Sequence, residues 1–368
     1  MKIAVLSSHT ESLFWFRLDM MKAFKEAGHI VVAVGSEPES IWTEKFEEHG
    51  IQYSQISVKR NGINFLEDFK TFRELNQFLK KEQPDKVFSY QAKTIVYGSL
   101  AARLNKISDI YVLIAGLGSV FRGSGLKNLI IKKIMSLEYW IAFKFSKKVF
   151  FQNKDDLNEF IAMKLVSKDK TILINGSGVN LEKFKPTPLP EQTAFLFIGR
   201  LIKDKGIVEY LEACKQIKKK YPGIRCLLVG PYDSNPTALK PEDLKPYVDS
   251  KIVEYFGQQD DVRPFITECS VYVLPSYHEG MPKTVLEAMA MGRPVITTDA
   301  PGCRETVVDG ENGYLVPVKN FERLVEKMNS FILDSEKIQF MGSNSIKVAQ
   351  EKFDVAIVNK TISCAIEV

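Results

Sequence analysis

Apolar residues in this chain fall into short runs that alternate with longer stretches of helical periodicity. "KIAVLS" leads into the helical "LFWFRLDMMKAFKEAG", which is followed by the strand "HIVVAVG". "IQYSQI", "KVFSY", "IYVLIA" and "KVFFQN" recur downstream, with helical segments between several of them. A βαβ alternation of this kind predicts a parallel sheet covered by helices on both faces. Near "LINGSGVNLEKFKPTPLPEQT" the pattern breaks, because Gly176, Gly178, Pro186, Pro188 and Pro190 cluster there as a linker signature. It restarts with "AFLFIGR", the helical "IVEYLEACKQIKKK" and the strands "RCLLVGP", "KIVEYFG", "VYVLPS" and "PVITTD". The expectation is two doubly wound α/β domains: residues 1–175, a linker over 176–192, and residues 193–350. A last helix over 351–368, "FDVAIVNKTISCAI", is free to cross back to the N-terminal domain. Ligands of such sheets bind outside the carboxyl ends of the strands, so a cleft between the domains is the expected site.

Composition narrows the class. The chain has 368 residues, 45% of them hydrophobic and 26% charged, which suits two globular domains better than one core. A net charge of +5 is compatible with phosphate-bearing partners or an anionic membrane surface, and too small to argue for nucleic acid. The five cysteines form no CxxC and are read as buried free thiols of a reducing cytoplasm. The four histidines lack metal-ligand spacing, and no DxD triplet is present to hold a divalent ion against a diphosphate. The apolar run at the N-terminus ends after Leu6, so it reads as a strand and not as a signal peptide. No stretch reaches the roughly 20 apolar residues that span a bilayer. A soluble or peripheral protein is expected.

A dinucleotide-binding dehydrogenase requires G-x-G-x-x-G after a first strand. Here the first strand runs into Ser7, Ser8, His9, Thr10 and Glu11, and the second domain offers only Gly199 in that place. The glycines of "GLGSVFRGSG" lie too far along the chain for that motif.

The chemistry concentrates in "HEGMPKTVLEAMAMGRPV". A helix starting near Pro282 would leave the amides of Lys283, Thr284 and Val285 unspent at its positive end, a site for an anion such as a diphosphate. Glu279 lies just before that terminus, and Glu287 lies on the helix beyond its first turn. One ligand with an anionic middle and hydroxyl-bearing ends could touch both. From this stretch alone, a helix start with a solvated glutamate fits equally well. "FIGRLIKDKGI" adds Arg200 and Lys205 after the first strand of the second domain. Two fixed cations can neutralise a leaving diphosphate where no metal does so.

"GSGVNLEKF", "GRLIKDKG", "LLVGP", "YFGQQDDV" and the stretch from "VLPSYHEGMP" to "ENGYLVP" together resemble the family 4 retaining glycosyltransferases of the two-Rossmann-domain (GT-B) type. Glu279 and Glu287 resemble that family's E-x7-E pair. Within the family, "AKTIVYGSLAARL", "FRGSGLKNLI" and "FQNKDDLNEF" look most like bacterial enzymes of capsule, O-antigen and protein-glycan assembly, which extend sugars on undecaprenyl diphosphate. The "GLGS" stretch is shared with N-acetylgalactosaminyltransferases of such pathways.

The resemblance implies a UDP-sugar donor, no required cofactor and a lipid-linked saccharide acceptor. Arg200 and Lys205, beside Gly199, would hold the donor diphosphate, and Glu279 would contact the donor sugar. Gly280, Met281, Pro282 and Lys283 would shape its pocket, and Thr284 and Val285 would present amides to phosphate. Glu287 would take the ribose hydroxyls, with Phe256, Gly257 and Gln258 lining the base. Relatives carry a histidine immediately before the "GLG" turn, where this chain has Ala115. His9, Arg60, Lys93 and Arg122 are the candidates for the acceptor. A nucleotide-sugar-binding protein without turnover is the alternative, for which Ala115 is the only hint. A glycosidase-like use of the two glutamates is set aside, since Glu287 is better placed for ribose than for an anomeric carbon. Finally, "GLKNLIIKKIMSLEYWIAFKFSKK" reads as a basic amphipathic helix, either a core helix or one lying on the inner face of the cell membrane.

Overall fold

A computed structural model describes residues 1–59, 64–117, 121 and 125–368. Its contacts divide the chain into two units, Met1–Ser177 with Val355–Val368, and Gly178–Asp354.

In the first unit the strands are β1 (Lys2–Leu6), β2 (Ile30–Gly35), β3 (Gln52–Gln55), β4 (Lys86–Tyr90), β5 (Asp109–Ile114), β6 (Lys148–Phe151) and β7 (Thr171–Leu173). All neighbouring pairs are parallel, in the order β3-β2-β1-β4-β5-β6-β7. The six runs expected from the sequence form the first six strands, and the short, partly exposed β7 closes one edge. Every residue of β4 is buried, as a strand covered on both faces requires. Lys86, at its start, is buried too and pairs with Asp109 at 3.0 Å. The strand order reverses between β1 and β4, which makes that boundary the switch point of this sheet.

The helix Val355–Ile366 also belongs to this unit. Val358, Ile362 and Ile366 join the core beneath the helix Thr10–Glu26, and Asn359 Nδ2 donates to the Asp19 carbonyl at 3.1 Å. Cys364 lies off that buried stripe and is exposed, which corrects the expectation of five buried thiols. The other four, Cys214, Cys226, Cys269 and Cys303, are buried.

In the second unit β8 (Ala194–Ile198), β9 (Arg225–Val229), β10 (Glu254–Tyr255), β11 (Val271–Leu274), β12 (Val295–Thr298) and β13 (Gly313–Val316) form a parallel sheet in the order β10-β9-β8-β11-β12-β13. Its switch point is the β8/β11 boundary. The Gly- and Pro-rich stretch before β8 is packed onto this unit: Val179 and Phe184 enter its core. The fully buried Arg293 explains much of that docking. Its guanidinium donates to the carbonyls of Thr187, Pro188, Ile266, Thr267 and Met291 and to the Thr187 hydroxyl. A lone buried cation is tolerated because so many of its donors are satisfied. Among the described residues, no helix is long and apolar enough to cross a membrane.

Candidate functional site

The loops that leave β8 and β11 meet at the carboxyl edge of the second sheet. The β8 loop runs through Gly199 and Arg200 into a single turn, Lys203–Lys205, and then Gly206. Gly206 has φ +73°, and a Cβ there would lie 2.0 Å from the Pro275 carbonyl oxygen, so only glycine lets the two loops touch. The Ser276 hydroxyl and the Tyr277 amide both donate to the Asp204 carbonyl, at 3.0 and 2.9 Å. The Tyr277 hydroxyl donates to Glu209 Oε1 at 2.7 Å, which ties the same loop to the helix Ile207–Lys220. This clamp brings Lys205 Nζ to 2.5 Å from Glu279 Oε1, with both side chains largely shielded from water. Behind Glu279, its amide donates to the Pro301 carbonyl at 2.9 Å. Gly302 packs so close that a Cβ would sit 2.1 Å from the Glu279 carbonyl oxygen.

The helix beyond is Lys283–Ala290, with Pro282 at its N-cap and Gly280, Met281 and Pro282 all buried. Its first turn carries no acidic residue, so no carboxylate of its own turn offsets the positive end of the dipole. The Val285 amide donates to the Pro282 carbonyl at 3.1 Å, so it is engaged at the helix start. Thr284 Oγ1 lies 2.7 Å from the Tyr272 hydroxyl, which is itself 3.1 Å from the Ile198 carbonyl oxygen; the strands thus hold the helix start in place. Glu287 is buried, and that desolvation pushes its carboxyl up to about 7, against the opposing pull of Lys283. Lys283 Nζ stands 3.9 Å away, too far for a hydrogen bond. A buried carboxylate with so little compensation makes Glu287 a candidate ligand-binding residue.

Arg200 is turned toward Asp233, at 2.8 Å. Phe256, Gly257 and Gln258 follow β10 at the same edge. The Phe256 ring packs on Phe265 with centroids 4.9 Å apart, the Gly257 carbonyl accepts from the Gly230 amide at 2.7 Å, and Gln258 is exposed. β10 lies two strands from β8, roughly 10 Å at ordinary sheet spacing. The candidate donor residues therefore line one edge of a single sheet. Sequence reading missed Asp233, Tyr272, Tyr277 and Gly302, none of which carries a local signal.

On the first unit, His9 and Lys93 follow β1 and β4, the strands on either side of its switch point. His9 Nε2 lies 3.5 Å from Glu37 Oε1 and 3.7 Å from Glu11 Oε2. The Thr10 amide donates to Glu37 Oε2 at 2.5 Å. Burial works against the Glu37 charge, but hydrogen bonds from Thr10 hold its carboxyl below the usual range. The protein's own carboxylate thus fills the helix start where a dinucleotide phosphate would sit in a dehydrogenase. Lys93 is largely buried and paired with Asp68 at 2.6 Å. Arg60 and Arg122 lie outside the described residues. Among the described residues, no group of three or more His, Cys, Asp or Glu is placed to hold a metal ion.

Known proteins agree with this layout. Residues 2–153 match the family described as "Glycosyl transferase 4-like", and residues 179–348 match "Glycosyl transferases group 1". The N,N'-diacetylbacillosaminyl-diphospho-undecaprenol alpha-1,3-N-acetylgalactosaminyltransferase of Campylobacter jejuni is 30% identical over 92% of this chain and 91% of its own. An Escherichia coli UDP-Gal:alpha-D-GlcNAc-diphosphoundecaprenol alpha-1,3-galactosyltransferase is 26% identical over 77% of this chain and 75% of its own. The structure of Anabaena Alr3699/HepE in complex with UDP and glucose superposes with a TM-score of 0.79 at 18% identity, covering 100% of this chain and 99% of that one. With two parallel-sheet Rossmann-like units and these matches, the chain belongs to the family 4 glycosyltransferases of the GT-B type.

Proposed function

We propose that the protein is a retaining glycosyltransferase that moves N-acetylgalactosamine from UDP-GalNAc, in α linkage, onto a polyprenyl-diphosphate-linked saccharide. It would act at the inner face of the cell membrane in bacterial surface- or protein-glycan assembly. The observation that carries the reading is the contact between Lys205 and Glu279 at 2.5 Å. A cation for the departing diphosphate beside a carboxylate for the sugar suits the cleavage of a nucleotide sugar. The names of the Campylobacter and Escherichia relatives support the lipid-diphosphate acceptor, and the former supports the sugar.

In this reading Arg200 leaves Asp233 for the donor diphosphate, Lys205 bridges phosphate and Glu279, and Glu287 takes the ribose hydroxyls. The acceptor binds on the N-terminal unit, near Lys93 and His9. The acceptor hydroxyl attacks on the face from which the diphosphate leaves, and the leaving phosphate oxygen takes its proton. Arg200, Lys205 and the start of the helix Lys283–Ala290 stabilise the negative charge that develops there. No divalent cation is needed for that step.

Donor identity is tested by thermal shift with UDP, GDP, UDP-GalNAc, UDP-GlcNAc, UDP-galactose and GDP-mannose, because a ligand of the folded state raises its stability. Stabilisation by UDP and UDP-GalNAc, followed by UDP release with a lipid-linked acceptor in excess EDTA, is expected. Preference for another donor would replace the sugar, and turnover that EDTA abolishes and manganese restores would overturn the metal-free step.

A further inference from the structure

The first unit carries an apolar surface that the transfer reaction does not use. The helix Phe65–Glu82 begins with Phe65 and Leu66, 82% and 83% exposed, and Phe69 one turn on is also exposed. The helix Leu126–Phe145 exposes Leu126, Leu129, Ile130, Ile134 and Leu137. The helix Ala92–Leu104 packs between these two.

Three side chains mark a common level across the helices. Asp68 pairs with Lys93, the second residue of the central helix, and Glu138 lies close enough to feel the charge of both. Each helix follows a parallel strand and so starts at the carboxyl edge of the sheet. On the outer helix, Leu126–Leu137 precedes Glu138 and runs past that level by roughly 18 Å at the rise of an α-helix. On the other helix, Phe65 and Leu66 precede Asp68 by about a turn. Large apolar side chains therefore stand beyond the rim of the fold on both sides of the acceptor candidate Lys93.

Exposed apolar groups in such number mark a partner. The charge pattern selects it. Leu126–Leu137 contains Lys127, Lys132 and Lys133 and no acidic residue, and Lys144 stacks on Trp140 at 3.7 Å further along the same helix. On the other helix, the acidic residues near the apolar tip are already paired, Glu67 with Lys59 and Asp68 with Lys93. Lys132 is partnered by Glu159 at 3.3 Å, but the stretch brings no acidic residue of its own, and an apolar tip with such a basic flank is complementary to hydrocarbon beneath anionic headgroups.

We propose that Phe65, Leu66 and Phe69, together with the first three turns of the helix Leu126–Phe145, form one platform that inserts into an anionic phospholipid bilayer. It deepens the proposed function, which places the acceptor in a membrane: the platform would set the carboxyl edge of the first sheet at the headgroup level, where a lipid diphosphate lies.

The test is co-sedimentation of the full chain with vesicles of phosphatidylcholine alone, or of phosphatidylcholine with phosphatidylglycerol. Binding to the anionic vesicles is expected, weakened at high salt and at least tenfold in each of three double or single variants: Leu66→Ser with Phe69→Ser, Leu129→Ser with Ile130→Ser, and Lys133→Glu. All three keep the UDP-induced thermal shift of the parent protein, since the changed residues lie outside the second unit. Wild-type protein that ignores anionic vesicles, or variants that bind them as well as wild type, would overturn the platform. A dimer that the serine variants convert to monomer would assign the surface to a second copy instead. Loss of the UDP shift in wild type counts against the proposed function alone, so the two failures are distinguishable.

Discussion

Replacing Glu287 by glutamine separates what this residue does for binding from what it costs in stability. Burial holds its carboxyl at about 7, against an ordinary value of 4.5. Because the folded value is the higher one, the folded state binds the proton more tightly than the unfolded chain between these two values. Stability therefore falls as pH rises through that window, and above pH 7 the full penalty applies. At 1.36 kcal/mol per unit, that penalty is about 3 kcal/mol. Glu287→Gln removes the ionisation, so the free protein should gain up to about 3 kcal/mol at pH 8 and almost nothing at pH 4.5. For a unit of this size the gain at pH 8 corresponds to roughly 6–12 °C in melting temperature. In the proposed donor site the same change replaces a carboxylate by a neutral amide at the ribose, a loss of up to about 1.5–3 kcal/mol of charged hydrogen bonding. UDP should then bind at least tenfold more weakly. The assay is thermal melting of wild type and variant across this pH range, with and without UDP. A gain that is the same at both ends of the range would show that ionisation of a buried Glu287 is not its source. An undiminished UDP shift would remove Glu287 from the nucleotide site.

Lys205→Ala and Glu279→Gln should each lower turnover at least 100-fold, about 3 kcal/mol of transition-state stabilisation, while melting within a few degrees of wild type; an active variant would take that residue out of the site. Arg293→Met should destabilise the second unit by at least about 3 kcal/mol, because the Ile266 and Met291 carbonyls lose a buried donor and those of Thr187, Pro188 and Thr267 lose theirs at the same time; denaturant unfolding reads this directly, and a neutral result would mean that the Thr187–Pro188 segment is not held by the guanidinium. Gly302→Ala should reduce activity by displacing the Glu279 backbone, with donor affinity falling in step. In the native protein one thiol, Cys364, should react rapidly with a disulfide reagent, and the other four only on unfolding.

The alternation of short apolar runs with helical segments was enough to predict the fold class and every strand but the short β7 and β13, because the two periodicities are local properties of the chain. The candidate site was partly legible for the same reason: Glu279, Pro282 and Glu287 share one loop and one helix, although their spacing alone fits a solvated helix start as well as an anion beside hydroxyls. What the sequence could not contain is which distant residues meet. Lys205 and Glu279 touch because β8 and β11 lie side by side at the point where the strand order reverses, a consequence of crossover topology and not of any local motif. Asp233 finds Arg200, and Glu37 finds the Thr10 amide, on the same terms. Nothing in the turn "MGRPV" signals that the fold buries Arg293 against carbonyls more than 100 residues away. Nor does helical periodicity reveal that Leu129 and Ile130 remain about half exposed, since an apolar stripe looks alike whether it faces a core or open solvent. Local chemistry determined the elements and the candidate groups; only the tertiary structure decided which charges are paired, which are buried, and which apolar faces remain uncovered.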